Sequence, residues 1–109
     1  MGRTYLGELE ELVLLAVASL NESAYAVRVK EELAEKADRS VNISAIHSSL
    51  YRLEDKGFLN SKMGGATQKR GGKSKRIFQV TAYGLKALKS SQEVRKTFWS
   101  TIPQLSFKG

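Results

Sequence analysis

Apolar residues recur along this chain at helical spacing in its first half, then at shorter, strand-like intervals. Leu6, Leu9, Leu12, Val13, Ala16, Val17 and Leu20 fall three and four residues apart and predict a helix from about Gly7 to Leu20. Glu8, Glu10 and Glu11 sit in its electropositive first turn. Asn21–Ser23 is a short turn, and Ser23 is a cap candidate for a second helix running to Ala37 or Asp38. Ala26, Val29, Leu33 and Ala37 form its inner face, which leaves Glu31, Glu32, Glu35 and Lys36 on a solvated one. Tyr25 is expected in the core with its hydroxyl at the edge, the alternative being an outward reach to a phosphate.

Arg39 to Asn42 is a polar link, with Val41 adding a brief strand, before Asn42 or Ser44 caps a third helix over Ile43 to Gly57. Ile46, Leu50 and Leu53 mark its buried side. Opposite them lie Ser44, Ala45, His47, Ser48, Tyr51 and Arg52, small at the start of the helix and basic near its end. Such a face suits entry into a DNA groove, while an ordinary amphipathic helix with a solvated side would show the same pattern. Two helices joined this tightly make a helix-turn-helix candidate. Gly57 ends the third helix, and two strands follow at Phe58 to Met63 and Arg76 to Val80. Between them, GGATQKRGGKSK carries four glycines and four basic residues with nothing to fill a core, which predicts an exposed hairpin loop.

Thr81 caps a last helix whose broken stripe, Leu85, Leu88, Phe98, Trp99 and Ile102, runs to Pro103. That helix has little of its own domain left to cover. A second copy of the same helix is the simplest partner, so a homodimer is expected. Folding back onto its own chain is one alternative; docking a different protein, which would make the chain an interaction module, is another.

Composition narrows the function. The 109 residues suffice for one domain with a core, and cysteine is absent, which removes disulfides, thiolate metal sites and cysteine nucleophiles and fits a cytoplasmic location. The longest apolar run, Leu12 to Ala18, falls far short of the roughly 18 residues of a membrane span. The net charge of +7 is unevenly distributed. Residues 1–55 hold ten acids against six Lys or Arg, whereas residues 56–92 hold nine Lys or Arg and no acid. A polyanion is the natural partner, because neutralising phosphates releases condensed counterions. A membrane surface would need an apolar anchor beside the cations, and Ala66 to Lys75 has none.

Helices one to three followed by a basic hairpin give the winged helix-turn-helix order, a mainly α fold with a small β-hairpin. Four blocks in order make the chain resemble the PadR family: LGELEELVLLAV, AYAVRVKEEL, ISAIHSSLYRLEDKGFL and RGGKSKRIFQVTAYG. The resemblance covers Leu6 to about Leu88. It implies a cytoplasmic transcriptional regulator, commonly a repressor, dimeric through its terminal helices, with the third helix in the major groove and the wing beside it. Two departures stand out. His47 occupies a position where the family usually has tyrosine, with Tyr51 one turn later, and the last helix is short for the family. His47 could bond a base edge or a phosphate, or be a partly packed helix residue.

The resulting expectation is a homodimer on a pseudo-palindromic operator in double-stranded DNA. Residues 1–81 form the DNA-binding domain, 82–103 the dimerisation helix and 104–109 a tail. Ser44, His47, Ser48, Tyr51 and Arg52 are the candidates for groove contact. Lys69, Arg70, Lys73, Lys75 and Arg76 are the wing candidates, reaching phosphates or the minor groove. Leu85, Leu88, Phe98, Trp99 and Ile102 are the dimer candidates, and Phe98 and Trp99 could also flank a cavity for a small apolar effector. GGKS is not a phosphate-binding P-loop, since Thr67 stands where that motif needs glycine. One histidine, no cysteine and acids spaced along helix faces give an enzyme little to work with, and neither a cofactor nor a metal is expected. No aromatic residue between Lys62 and Lys75 is available to stack unpaired bases, which weighs against RNA.

Overall fold

The computed structural model describes residues 6–64 and 75–103. Its elements are α1 (Glu8–Leu20), a 3-10 turn (Asn21–Ser23), α2 (Ala26–Ala37), α3 (Ile43–Asp55), β1 (Leu59–Gly64), β2 (Lys75–Val80) and α4 (Ala82–Thr101). This is the winged helix-turn-helix order.

Capping chemistry sets most of the helix ends. Glu10 turns back to accept from the Gly7 N–H at 3.1 Å, and Asn42 Oδ1 accepts from the Ala45 N–H at 2.8 Å. Ser23 does not cap α2. Its hydroxyl donates to the Leu20 carbonyl at 3.0 Å and closes the 3-10 turn, so α2 begins later, behind an extended Tyr25. At the other end of α2, Asp38 adopts a left-handed conformation and the Arg39 N–H reaches the Leu33 carbonyl at 3.1 Å. Gly57, with φ +86°, makes the turn out of α3 that a side chain would strain.

α1, α2 and α3 pack together over Val13, Leu14, Val17, Val29, Leu33, Ile46, Leu50 and Leu53, and Phe58, Leu59 and Phe78 close the core from the hairpin. Each of these large side chains contributes about 1.5–3 kcal/mol by leaving water. Leu14 is absent from the expected stripe, yet α1 meets α2, α3, β2 and α4 and is buried over a wider arc than one face. Glu32, expected in solvent, is buried. It accepts from Ser19 Oγ at 2.7 Å and from Lys36 Nζ at 2.8 Å, and those two bonds, led by Lys36, hold its pKa below the usual carboxylate value.

β1 and β2 pair antiparallel, with Leu59 opposite Val80, Ser61 opposite Phe78 and Met63 opposite Arg76. Val41 forms no strand; it packs half-buried against the core. The hairpin's tie to the helices comes instead from Ala24, whose carbonyl accepts from the Phe78 N–H at 2.9 Å.

α4 begins at a junction built around Thr81. Its Oγ1 accepts from the Gly84 N–H at 2.9 Å and donates to the Gly57 carbonyl at 2.7 Å, while its own N–H donates to the Phe58 carbonyl at 3.0 Å. The first half of α4 lies on its own chain. Leu88 enters the core, and Glu11 of α1 accepts from Ser91 Oγ at 2.9 Å and pairs with Arg95 at 3.0 Å. Beyond Arg95 the helix carries exposed Phe98 and Trp99, and the described chain extends 61 Å along its longest axis. No helix among the described residues is long and apolar enough to cross a membrane.

Candidate nucleic-acid interface

The outer face of α3 follows from the inner one. With Ile46, Leu50 and Leu53 fully buried, helical phase turns Ser44, His47, Ser48, Tyr51 and Arg52 outward, and all five are exposed. Two of them are braced. The rings of His47 and Tyr51, one turn apart, stack with centroids 6.1 Å apart and planes 17° from parallel. Tyr51 then meets Phe78 of β2 edge-on at 6.0 Å, so the α3 surface and the hairpin are joined through aromatic contact. Ser44 and Ser48 leave the start of the helix low in profile.

Arg52 is anchored from below. Its Nε donates to Glu10 Oε2 at 2.9 Å, and Lys56 Nζ reaches both oxygens of the same carboxylate at 3.1 and 3.0 Å. Burial alone would raise the Glu10 pKa, but the Gly7 N–H, Lys56 and Arg52 outweigh it and hold the carboxyl below its ordinary value. Sequence reasoning missed this residue as anything beyond a first-turn acid. A signal was present: Leu6, Glu10, Val13 and Val17 repeat at four, three and four residues, so the acid stands in the inward phase of an apolar stripe.

Of the wing candidates, Lys75 and Arg76 are described and exposed; Lys69, Arg70 and Lys73 lie outside the described residues. Lys75 Nζ sits 4.1 Å from the centre of the Tyr25 ring, a cation–π contact between the hairpin base and the start of α2. This also places Tyr25: half-buried, with its ring beneath a cation. Arg76 Nη1 donates to Ser61 Oγ at 2.9 Å, and that hydroxyl donates to Glu54 Oε2 of α3 at 2.7 Å. Both cations thus sit beside the helix-turn-helix, held by α2 and α3.

The five dimer candidates separate. Leu85, Phe98 and Trp99 are exposed, the last two by 68% and 62%, and Ile102 is half-buried. Leu88 turns into the core of its own chain and is 7% exposed, because it falls on the side of α4 that rests on α1. A cavity of about 550 Å³ opens between α1 and α4, lined by Leu6, Phe58, Tyr83 and Val94 with Glu11 and Arg95 among its polar groups. Neither Phe98 nor Trp99 lines it. No group of three or more acids or histidines among the described residues could hold a metal ion.

No family model matches the chain, and no curated protein does. Solved structures do. A PadR-like transcription factor from Bacteroides fragilis is 25% identical, with 85% of this chain and 84% of that one covered at a TM-score of 0.71. A PadR-like transcriptional regulator from Bacillus cereus is 18% identical, with 93% of each chain covered at a TM-score of 0.73. A winged-helix DNA-binding protein from STIV is 15% identical, with 85% of this chain and 92% of that one covered at a TM-score of 0.67.

Proposed function

We propose that this PadR-like winged-helix regulator of transcription works as a cytoplasmic homodimeric repressor on a pseudo-palindromic operator. Each α3 enters a major groove, and the two grooves lie about one helical turn apart on one side of the duplex. The hairpin cations take phosphates or the minor groove beside it. Occupying a promoter then blocks transcription.

The observation that carries this reading is the pairing of two surfaces. α3 presents a low, polar and basic outer face, and the hairpin base, with Lys75 and Arg76, is fixed directly beside it through Tyr51–Phe78 and Arg76–Ser61–Glu54. Polar side chains on a projecting helix can address base edges, and cations on the flanking hairpin can address the backbone. Residues 1–81 supply this surface. The end of α4 supports self-association: exposed Phe98 and Trp99 on consecutive positions are expensive to leave in water, and a two-fold axis would cover both copies at once.

Selection of bound duplexes from a randomised pool, followed by sequencing, tests the reading. Two inverted half-sites with centres about 10 base pairs apart are expected. A single half-site, or no enriched sequence, overturns it. In parallel, sedimentation should find a dimer for the wild type and a monomer for the Phe98→Ser, Trp99→Ser double variant; a dimer that survives the change overturns the role given to α4.

A further inference from the structure

Glu10 stands out as a buried acid on a surface meant for a polyanion. Together with Arg52 and Lys56 it leaves a trio of charge +1 where the two cations alone would carry +2, so its presence lowers the electrostatic attraction of this face for DNA. Charge therefore does not explain why it is there. Geometry does.

The carboxylate accepts Arg52 at Nε, not at the terminal nitrogens. Nη1 and Nη2 have no partner among the described residues, and the Arg52 side chain is 54% exposed while that of Glu10 is 10% exposed. An arginine gripped through Nε keeps its two terminal amino groups as an outward fork, the arrangement that matches two adjacent acceptors on a base edge. The grip is itself rigid. Glu10 Oε1 is held by the Gly7 N–H, both oxygens are held by Lys56, and α1 is fixed in the core after Glu10 by Val13, Leu14 and Val17 and packed against it before Glu10 by Leu6 and Leu9. A free arginine would lose rotamer freedom on binding, whereas this one has lost part of it already.

We propose that Glu10 is a positioning residue for DNA readout, orienting Arg52 so that Nη1 and Nη2 meet the O6/N7 edge of a guanine. The inference rests on the DNA-binding reading of α3. It assigns α1, which contributes none of the groove-facing residues itself, a part in sequence discrimination.

The test compares affinity for the duplex selected by the wild-type protein with affinity for a scrambled duplex, across a salt series. Glu10→Gln keeps an acceptor for Gly7 but removes the charge. It should bind the scrambled duplex at least as tightly as wild type, with a log K against log salt slope steeper by up to about 0.9, while discrimination falls roughly ten-fold. Arg52→Gln should lose the same discrimination with a shallower slope, and the double variant should lose no more than Arg52→Gln alone. A Glu10→Gln protein that still folds cooperatively and retains full discrimination, or that weakens both duplexes alike, overturns the proposal. Should that variant fail to fold, Arg52→Lys decides: it keeps a cation for Glu10 but has no fork, and undiminished discrimination overturns the proposal equally. A wild-type protein that selects no sequence overturns the underlying DNA reading and this one with it, an outcome visible before any variant is made.

Discussion

Gly84 lies against the Phe58 carbonyl so closely that a Cβ at this position would overlap the oxygen, and would press on Val80 Cγ1 at 3.0 Å as well. The contact belongs to the junction where Thr81 ties α4 to Gly57 and Phe58. Gly84→Ala therefore sets two effects against each other. Alanine favours a helix by about 1 kcal/mol over glycine, whereas overlap with a backbone atom that cannot swing aside costs about 1–3 kcal/mol. The clash wins, because the nearer partner is the Phe58 carbonyl and the other is a stiff, β-branched side chain, and a net loss of up to about 2 kcal/mol is expected. Urea unfolding measures it, and an unchanged midpoint would show that α4 can lift off Phe58 without penalty.

Ser49 carries the opposite expectation. It lies on the buried side of α3, 1% exposed, and its Oγ has no hydrogen-bond partner among the described residues. A buried hydroxyl without a partner keeps its desolvation cost and gains nothing in return. Ser49→Ala should raise stability by about 1 kcal/mol and leave DNA affinity alone, since the outer face of α3 is untouched. A drop in the unfolding midpoint would show that the hydroxyl is bonded in solution.

Much of this architecture is legible in residue spacing. Ile46, Leu50 and Leu53 announce which side of α3 is buried, and so which side is left for a ligand; Asn42, Gly57 and Thr81 announce the ends. What spacing conceals is the meeting of residues across long stretches of chain. Arg52 and Glu10 are 42 residues apart, so a local reading sees a free cation and a first-turn acid where the fold makes one ion pair. Val41 fails as a strand for a related reason: the sheet edge it would need is met by Ala24, through the Phe78 N–H. Leu88 looks like part of an interface stripe because periodicity cannot say whether α1 or a second molecule covers it.

The Glu10 carboxyl makes stability depend on acid. Burial pushes its pKa up, but the Gly7 N–H, Lys56 and Arg52 bring it below the ordinary value, so in the unfolded chain it takes up a proton at higher pH than in the folded one. Stability rises with pH wherever the unfolded state binds more protons. The contribution is therefore fully present above the ordinary glutamate pKa of about 4.3 and is lost as pH falls through the lower folded value. Urea melts between pH 6 and pH 3 should show wild type losing stability faster than Glu10→Gln in the acid limb. Parallel curves would remove the ion-pair contribution.

The hairpin base offers the sharpest division between affinity and sequence preference. Lys75 rests over the Tyr25 ring and stays exposed, on a strand whose first residue is tied to α2 and not to the outer face of α3. A cation so placed can neutralise a phosphate and has no means of reading a base, so Lys75→Gln should weaken binding to selected and scrambled duplexes by the same factor. The salt slope should fall by about 0.9, the share of one neutralised phosphate. Ser48→Val, on the outer face of α3, should do the reverse, changing which sequence is selected while leaving the slope unchanged. Tyr25→Leu tests the bracing of Lys75: removing the ring leaves the charge in place but frees the ammonium, so the slope should hold while affinity falls, by less than in Lys75→Gln. If Lys75→Gln altered sequence preference, the cation would have to be moved from the backbone to the groove. If it altered neither affinity nor slope, the hairpin base would have no part in binding.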